Sequence, residues 1–276
     1  MNIHEKYDNL KDIIKSYNSL AVAFSGGVDS TFLLKVAHDT LGENAIAVTA
    51  KLRVFPEREL SDTILFCKKD KITHIICDVD ALNIDGVAKN PPNRCYLCKN
   101  EILTKIKQVV EPYDIKYIAD GSNIDDDGDY RPGFQAVLEH KIKSPLKESG
   151  FTKTEIRELS KELGLSTWNK QYISCLASRF PYGEKITEEK IIMVEKAEQL
   201  LTDLGFSQIR VRIHDKMARI EINPSEFEKI IKLEISRKIY DELKQYGFTY
   251  ITLDLSGYRT GSMNETLPDL PDLKEV

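Results

Sequence analysis

The sequence predicts an α/β protein: a parallel-sheet domain over residues 1–180, then a smaller α+β domain over 181–276. Three patterns carry this reading. Short apolar runs alternate with helical periodicity through the first part. A glycine-rich loop joins the first run to the first helical stretch. Beyond about Phe180, polar and apolar residues alternate instead.

The elements follow in order. Leu20–Phe24 is a short apolar run that suits a buried strand, and Ser30–Leu41 has helical spacing at Phe32, Leu33, Val36 and Ala37, stopped by Gly42. Ala45–Thr49 reads as a second strand, Glu57–Lys69 as a helix started by Pro56, and His74–Cys77 as a third strand. Glu101–Val110 is amphipathic, and Lys116–Ala119 is a fourth strand. Lys141–Ser144 is a candidate fifth. Lys153–Leu163 is a helix capped by Thr152, with Glu155 closing a capping box. Strands separated by helices imply a parallel sheet covered on both faces. In the second part, Thr187–Leu204 is a long amphipathic helix. Gln208–His214 and Met217–Ile222 form a hairpin, two helical stretches follow, and Tyr250–Leu255 is the last strand.

Length and composition narrow the class. With 276 residues the chain suits about two domains. At 41% hydrophobic and 30% charged residues it is neither disordered nor fibrous. No apolar run nears the roughly 20 residues of a membrane span, and Met1–Lys15 lacks a leader-like apolar stretch, so a cytoplasmic protein without a membrane partner is expected. The net charge of −5 argues against a nucleic-acid partner. Five cysteines are too few, and odd in number, for a disulfide scaffold.

Ser25-Gly26-Gly27-Val28-Asp29-Ser30 follows the first strand and opens the first helix. Backbone N–H groups at a helix start lack intrahelical partners, and two glycines let an anion approach them closely. Ser25 and Ser30 add hydroxyls, and Asp29 could orient the loop or reach a magnesium ion. A capped Gly-Gly turn is the bland alternative. There is no Gly-Lys dipeptide, hence no Walker A loop, and no G-x-G-x-x-G follows the first strand. Asp120-Gly121-Ser122-Asn123 follows the fourth strand on the rim where parallel sheets bind ligands. Gly121 and Asn123 could approach a nucleotide there, and Ala50 could meet adenine through its backbone. Asp126 and Asp127 read as a solvated acidic turn.

Cys95-Tyr96-Leu97-Cys98 lies between Arg94 and Lys99, and neighbouring cations favour the thiolate. Cys175 comes much later, and Cys67 and Cys77 read as core. Structural zinc, a redox pair, a cluster on three thiolates and plain unpaired cysteines all remain open at this point. Arg210, Arg212 and His214 share one face of a strand, with Arg219 and Glu221 on the next. They are either the solvent side of a half-buried sheet or a phosphate clamp, and Arg259 has the same two readings.

The Ser25–Ser30 hexapeptide resembles the pyrophosphate loop of the PP-loop (adenine nucleotide alpha hydrolase-like) ATPases, which cleave ATP between the α and β phosphates. Several stretches together resemble the LarE ATP-dependent sulfur transferases. They are Ser25–Thr31, Asn90–Lys99, Asp129-Tyr130-Arg131-Pro132-Gly133, Ser144-Pro145-Leu146, Cys175–Gly183, Ala218–Glu221 and Asp254–Met263, which span nearly the whole chain. That resemblance implies the use of ATP and Mg2+ on Ser25, Gly26, Gly27, Asp29, Ser30, Ala50, Gly121 and Asn123. It implies conversion of carboxylates of a pyridinium-3,5-biscarboxylic acid mononucleotide to thiocarboxylates, in making the nickel-pincer nucleotide of lactate racemase. Asp29, Ser30 and Cys175 would be catalytic, and Arg210, Arg212 or Arg259 would bind the substrate phosphate. Family members with one such cysteine sacrifice its sulfur. Those with three hold a 4Fe-4S cluster, here on Cys95, Cys98 and Cys175, fed by sulfide or a sulfur donor. Gln171–Ser174 departs from the family's small, proline-containing run. A homo-oligomer is also implied. A tRNA-thiolating enzyme and a non-enzymatic ATP-binding module are the other readings.

Overall fold

The structure is a computed structural model that describes residues 1–126, 132–171, 174–259, 261–263 and 265. Asp127, the Asp129-Tyr130-Arg131 stretch of the family resemblance, Tyr172, Ile173 and Thr260 lie outside them. The chain divides into two compact units: Met1–Ile84 with Asn93–Ile173, and Asp85–Pro92 with Ser174–Val276. The stretch Asp85–Pro92 therefore belongs with the second unit, which one cut along the chain does not express.

In the first unit, helix α1 (Ile3–Tyr17) leads into β1 (Leu20–Ala23), α2 (Val28–Leu41), β2 (Ala45–Lys51), α3 (Glu57–Lys69), β3 (His74–Asp78), α4 (Arg94–Val110) and β4 (Tyr117–Ala119). Helices α5 (Gly133–Glu139), α6 (Pro145–Glu148) and α7 (Lys153–Glu162) complete it. The sheet is wholly parallel, in the order β3-β2-β1-β4, with Leu20 facing Ala45 on one side and Tyr117 on the other. The order reverses at β1. Right-handed crossovers put α2 and α3 on one face and α4 on the other, and a crevice opens beyond the carboxyl ends of β1 and β4. The core runs through Leu10, Leu20, Val22, Phe32, Leu33 and Phe151.

Two sequence expectations need revision. Lys141–Ser144 is not a strand: it makes one isolated parallel bridge, Lys143 to Ala119. Lys141 takes φ +54° and Pro145 opens α6 at once, so the extended stretch has no room to grow. The amphipathic helix starts at Arg94, seven residues before Glu101, and carries the C-x-x-C within its first five residues.

The second unit contains α8 (Glu188–Asp203), β5 (Ile209–His214), β6 (Met217–Ile222), α9 (Phe227–Ile230), α10 (Leu233–Gln245) and β7 (Tyr250–Leu253). Strands β5 and β6 form the expected antiparallel hairpin, and β7 joins β6 in parallel. Ile191, Val194 and Leu201 of α8 and Val211, Ile213 and Ile220 of the hairpin are buried together in its core. The Asp85–Pro92 stretch is clasped within this unit. The Asn90 side-chain amide donates to Phe180 O (3.2 Å) and Pro181 O (2.6 Å), and Gly183 N donates to Asn90 O (2.9 Å). Among the described residues no helix is long and apolar enough to cross a membrane.

Candidate functional site

The first site is built on the turn between β1 and α2. Gly27 is the N-cap of α2 in extended conformation, and no side chain caps it. The first intrahelical bond is Thr31 N to Gly27 O (3.0 Å). The earlier N–H groups of the turn carry the positive end of the helix dipole, which is the chemistry of an anion nest. Ser30 Oγ lies 3.0 Å from Ser25 Oγ and 3.2 Å from Gly27 O, which ties the loop ends together. Gly26 takes φ +74°, and a Cβ there would stand 2.9 Å from Thr63 Cγ2 of α3, so the loop backbone lies against that helix.

The loop after β4 closes the other side of the crevice. A Cβ on Gly121 would lie 2.9 Å from Ser30 N and 3.2 Å from Asp29 Cβ. Asp120 shapes this loop by accepting from Ser122 Oγ (2.7 Å) and Ser144 Oγ (2.9 Å). Asn123 is buried, and its Oδ1 accepts from Asp125 N (3.0 Å), so that oxygen serves the turn itself. Asp126 is equally engaged: its Oδ2 accepts from Asn123 N (3.0 Å). Ala50 lies half-buried in β2, beside Thr49, whose hydroxyl donates to Phe24 O and meets His74 Nε2.

Asp29 forms an ion pair with Lys153 through Oδ2, while Oδ1 is buried with no partner among the described residues. Burial pushes its carboxyl pKa up, against the downward pull of Lys153. An orphaned carboxylate oxygen beside a phosphate nest fits a hard divalent cation such as magnesium. Sequence reading missed Lys153, which lies 124 residues from Asp29, although it opens the helix that Thr152 caps. A cavity of about 520 Å³ borders the loop on its α3 side, lined by Gly26, Thr31, Lys35, Phe66, Leu165 and Lys170.

Cys95 and Cys98 sit one turn apart on α4, so they share a helix face. Both thiols are unbridged. Cys95 is exposed and Cys98 half-buried, and Arg94 Nη2 lies 3.9 Å from Cys95 Sγ. Cys67 and Cys77 are buried as core, and burial pushes the Cys67 thiol up to about 12.

Cys175, half-buried, caps a 3-10 turn over Leu176–Arg179 in the second unit. This turn is organised around Arg179, only 1% exposed. Its guanidinium grips both oxygens of Glu198 at 2.8 Å. From Nη1 it also donates to Ser174 O, Ser174 Oγ, Cys175 O and Ser178 Oγ. The sequence held a signal for half of this pair: Glu198 occupies an apolar-face position of α8, in register with Ile191, Val194 and Leu201. Among the described residues, no group of three or more His, Cys, Asp or Glu side chains comes together to hold a metal ion.

The polar face of the β5–β6 hairpin is not a solvated sheet face. Arg212 is 5% exposed and Glu221 0%. Arg212 bonds Glu221 (2.9 Å) and Ser178 O (3.1 Å), and Arg219 pairs with Glu221 and Asp254. Arg210 lies over the Tyr258 ring, and its guanidinium pKa is held below the usual range by burial and then by Arg179. Arg259, partly exposed, pairs with Asp254 and Glu265.

A pyridinium-3,5-bisthiocarboxylic acid mononucleotide synthase of Lactiplantibacillus plantarum is 36% identical over 255 residues, 92% of each chain. The chain belongs to this family, LarE. An uncharacterized protein of Synechocystis is 39% identical over 96% of this chain and 99% of its own. One subunit of a glutamine-hydrolyzing GMP synthase from Thermoplasma volcanium is 25% identical over 88% of this chain and 78% of its own. No protein-family model matches the chain.

Of the residues that the LarE resemblance singles out, Ser25, Gly26, Gly27, Asp29, Ser30 and Gly121 gather on one crevice of the first unit. Cys95 and Cys98 are neighbours on α4 of that unit, and Cys175 belongs to the second. Arg210 and Arg212 share a strand with Arg219 opposite Arg212, and Arg259 joins them through Asp254.

Proposed function

We propose that the chain uses ATP to convert carboxylates of a pyridinium-3,5-biscarboxylic acid mononucleotide into thiocarboxylates. One observation carries this reading: the uncapped start of α2, with the glycine loop on one side and Gly121 pressed against Ser30 N on the other, at the point where strand order reverses. A free carboxylate is a poor electrophile. Its oxygen attacks the α-phosphorus of ATP, the bond to the bridging oxygen breaks, and pyrophosphate leaves. A sulfur nucleophile then attacks the acyl carbon of the adenylate and AMP departs with the electron pair.

The chain's own part is electrostatic. The N–H groups at the start of α2 and the hydroxyls of Ser25 and Ser30 hold pyrophosphate oxygens, and Lys153 balances charge beside Asp29. Asp29 Oδ1 is the atom that would hold Mg2+, which supplies further charge neutralisation. Ala50, through its backbone, and Gly121 would meet the nucleoside, and Asn123 acts by shaping its own turn. In the second unit, Arg210 with Arg259 receives the substrate phosphate: an added anion relieves the strain that burial and Arg179 impose on the Arg210 charge. Arg212, the third arginine of that clamp in the family resemblance, spends its outer nitrogens on Ser178 O and Glu221.

For the sulfur, the three-cysteine pattern favours a 4Fe-4S cluster on Cys95, Cys98 and Cys175, which when bound supplies an iron able to carry an extra sulfide. A second reading makes Cys175 a sacrificial donor: it rests on this one thiol, half-buried at the head of the turn that Arg179 holds. Anaerobic iron and acid-labile sulfide counts on wild type beside Cys95→Ala separate them. The cluster reading expects bound iron that the variant loses while both still release pyrophosphate. A mass loss at Cys175 equal to one hydrogen sulfide after turnover, without iron, replaces it by the sacrificial reading. Sedimentation of the same preparation reads the homo-oligomer that the family suggests.

A further inference from the structure

The polar face of the β5–β6 hairpin holds a feature that the phosphate clamp leaves unused. Arg212 and Arg219 are cross-strand partners, and His214 lies two residues beyond Arg212 on the same face. Glu221 stands between the two guanidiniums, with Oε2 2.9 Å from Arg212 Nη2 and Oε1 3.2 Å from Arg219 Nη2. Ser262 Oγ donates to the same Oε1 at 2.7 Å. Arg212 Nη1 is taken by Ser178 O, and Arg219 Nη1 by Asp254. The outer nitrogens of both guanidiniums are thus committed, and the forks are held rigidly.

What remains are three inner nitrogens. Arg212 Nε, Arg219 Nε and His214 Nε2 are each shut off from water and have no hydrogen-bond partner among the described residues. Buried polar atoms without partners are rare, and each one calls for a physical reason. Three on adjacent side chains of one sheet face share a single reason. The two Nε–H groups are obligatory donors that cannot lose their protons, and an imidazole nitrogen becomes a donor by tautomerisation alone. A set of fixed donors on two guanidiniums, oriented by Glu221 and Asp254, suits one kind of group: an oxyanion with lone pairs in several directions.

We propose that Arg212 Nε, Arg219 and His214 form an oxyanion subsite, separate from Arg210, that takes a carboxylate or phosphoryl group. Arg219 and His214 are its new members. The assignment of that anion to the substrate rests on the function proposed above, because a pyridinium dicarboxylate mononucleotide brings several anionic groups and one clamp meets only one of them. The subsite itself stands on the geometry alone.

The test is calorimetric titration of the full-length protein with two probes, inorganic phosphate and pyridine-3,5-dicarboxylate. Arg219→Lys keeps the charge but loses the fork, and His214→Gln removes the imidazole. Arg237→Gln, on the exposed side of α10, is the charge control. Saturable binding of either probe that weakens at least about tenfold in Arg219→Lys and severalfold in His214→Gln, with Arg237→Gln unchanged, supports the subsite. The preferred probe says whether it is a carboxylate or a phosphoryl site. Equal binding by wild type and both subsite variants, at unchanged melting temperature, overturns it. If Arg219→Lys melts early, the His214→Gln result decides. Pyrophosphate release is measured separately. Its failure in wild type removes the proposed reaction and leaves the anion site standing. Normal turnover with unchanged probe binding removes the anion site alone.

Discussion

Gly121 is the residue on which the nucleotide crevice closes most tightly. Any side chain there meets the Ser30 amide, the group most needed for an anion. Gly121→Ala is expected to cost about 1–3 kcal/mol in urea unfolding, as overpacking does, and to weaken ATP binding more than it weakens stability. An alanine variant that binds ATP like wild type would remove Gly121 from the site. Arg179 sets a different kind of constraint. Arg179→Met leaves Glu198 buried without its partner and should destabilise by about 3–5 kcal/mol, whereas the double change with Glu198→Leu should recover much of that loss. The recovered protein would still lack the donors that hold the Ser174–Ser178 carbonyls and hydroxyls, so Cys175 should react faster with a thiol reagent than in wild type.

At the scale of elements, Asp85–Pro92 behaves as a strap whose hold depends on Asn90. The residue is fully buried at φ +54°, a left-handed conformation that glycine adopts freely. Asn90→Gly keeps that conformation and loses two amide hydrogen bonds, about 1–2 kcal/mol, while Asn90→Ala should be worse because it adds backbone strain. Equal urea midpoints for the two variants would show that conformation has no part in the clasp. The same contrast between local and distant partners explains what the sequence made legible. Helix α3 and the Thr152–Glu155 capping box were readable because their signals lie within a few residues. Helix α1 was not recognised, since its mixed charges masked the stripe of Leu10, Ile14 and Tyr17; its cue was the Asn2–Glu5 capping box. The phosphate loop was legible as one contiguous turn. Lys153 beside Asp29 was not, and for Glu198 only its place on the apolar face of α8 was, because no local pattern tells which distant charge neutralises a buried one.

At the scale of the whole molecule, the half-buried histidines His74 and His214 set how stability follows pH. Burial lowers the pKa of His74 in the first unit and of His214 in the second below the ordinary 6.5, with Arg219 and Arg212 adding to the effect at His214. The unfolded chain therefore binds protons first, and the stability these neutral rings contribute is present above about pH 6.5 and lost as pH falls through their folded values. Burial pushes the carboxyls of Glu155, Glu198 and Asp254 upward, but neighbouring cations and backbone donors outweigh it and hold them below their usual range, so their contribution disappears only at lower pH. Asp29 runs the other way, since its raised pKa makes protonation a relief. From about pH 7 to pH 5 the histidines dominate, and the melting temperature should fall. Because His74 lies in the first unit and His214 in the second, His74→Gln should flatten that fall for the first unit, where His140 adds a smaller share, and His214→Gln for the second. Scanning calorimetry of the two variants and their combination reads this directly: a fall of undiminished size in the combined variant would mean that other groups govern the acid side of the stability curve.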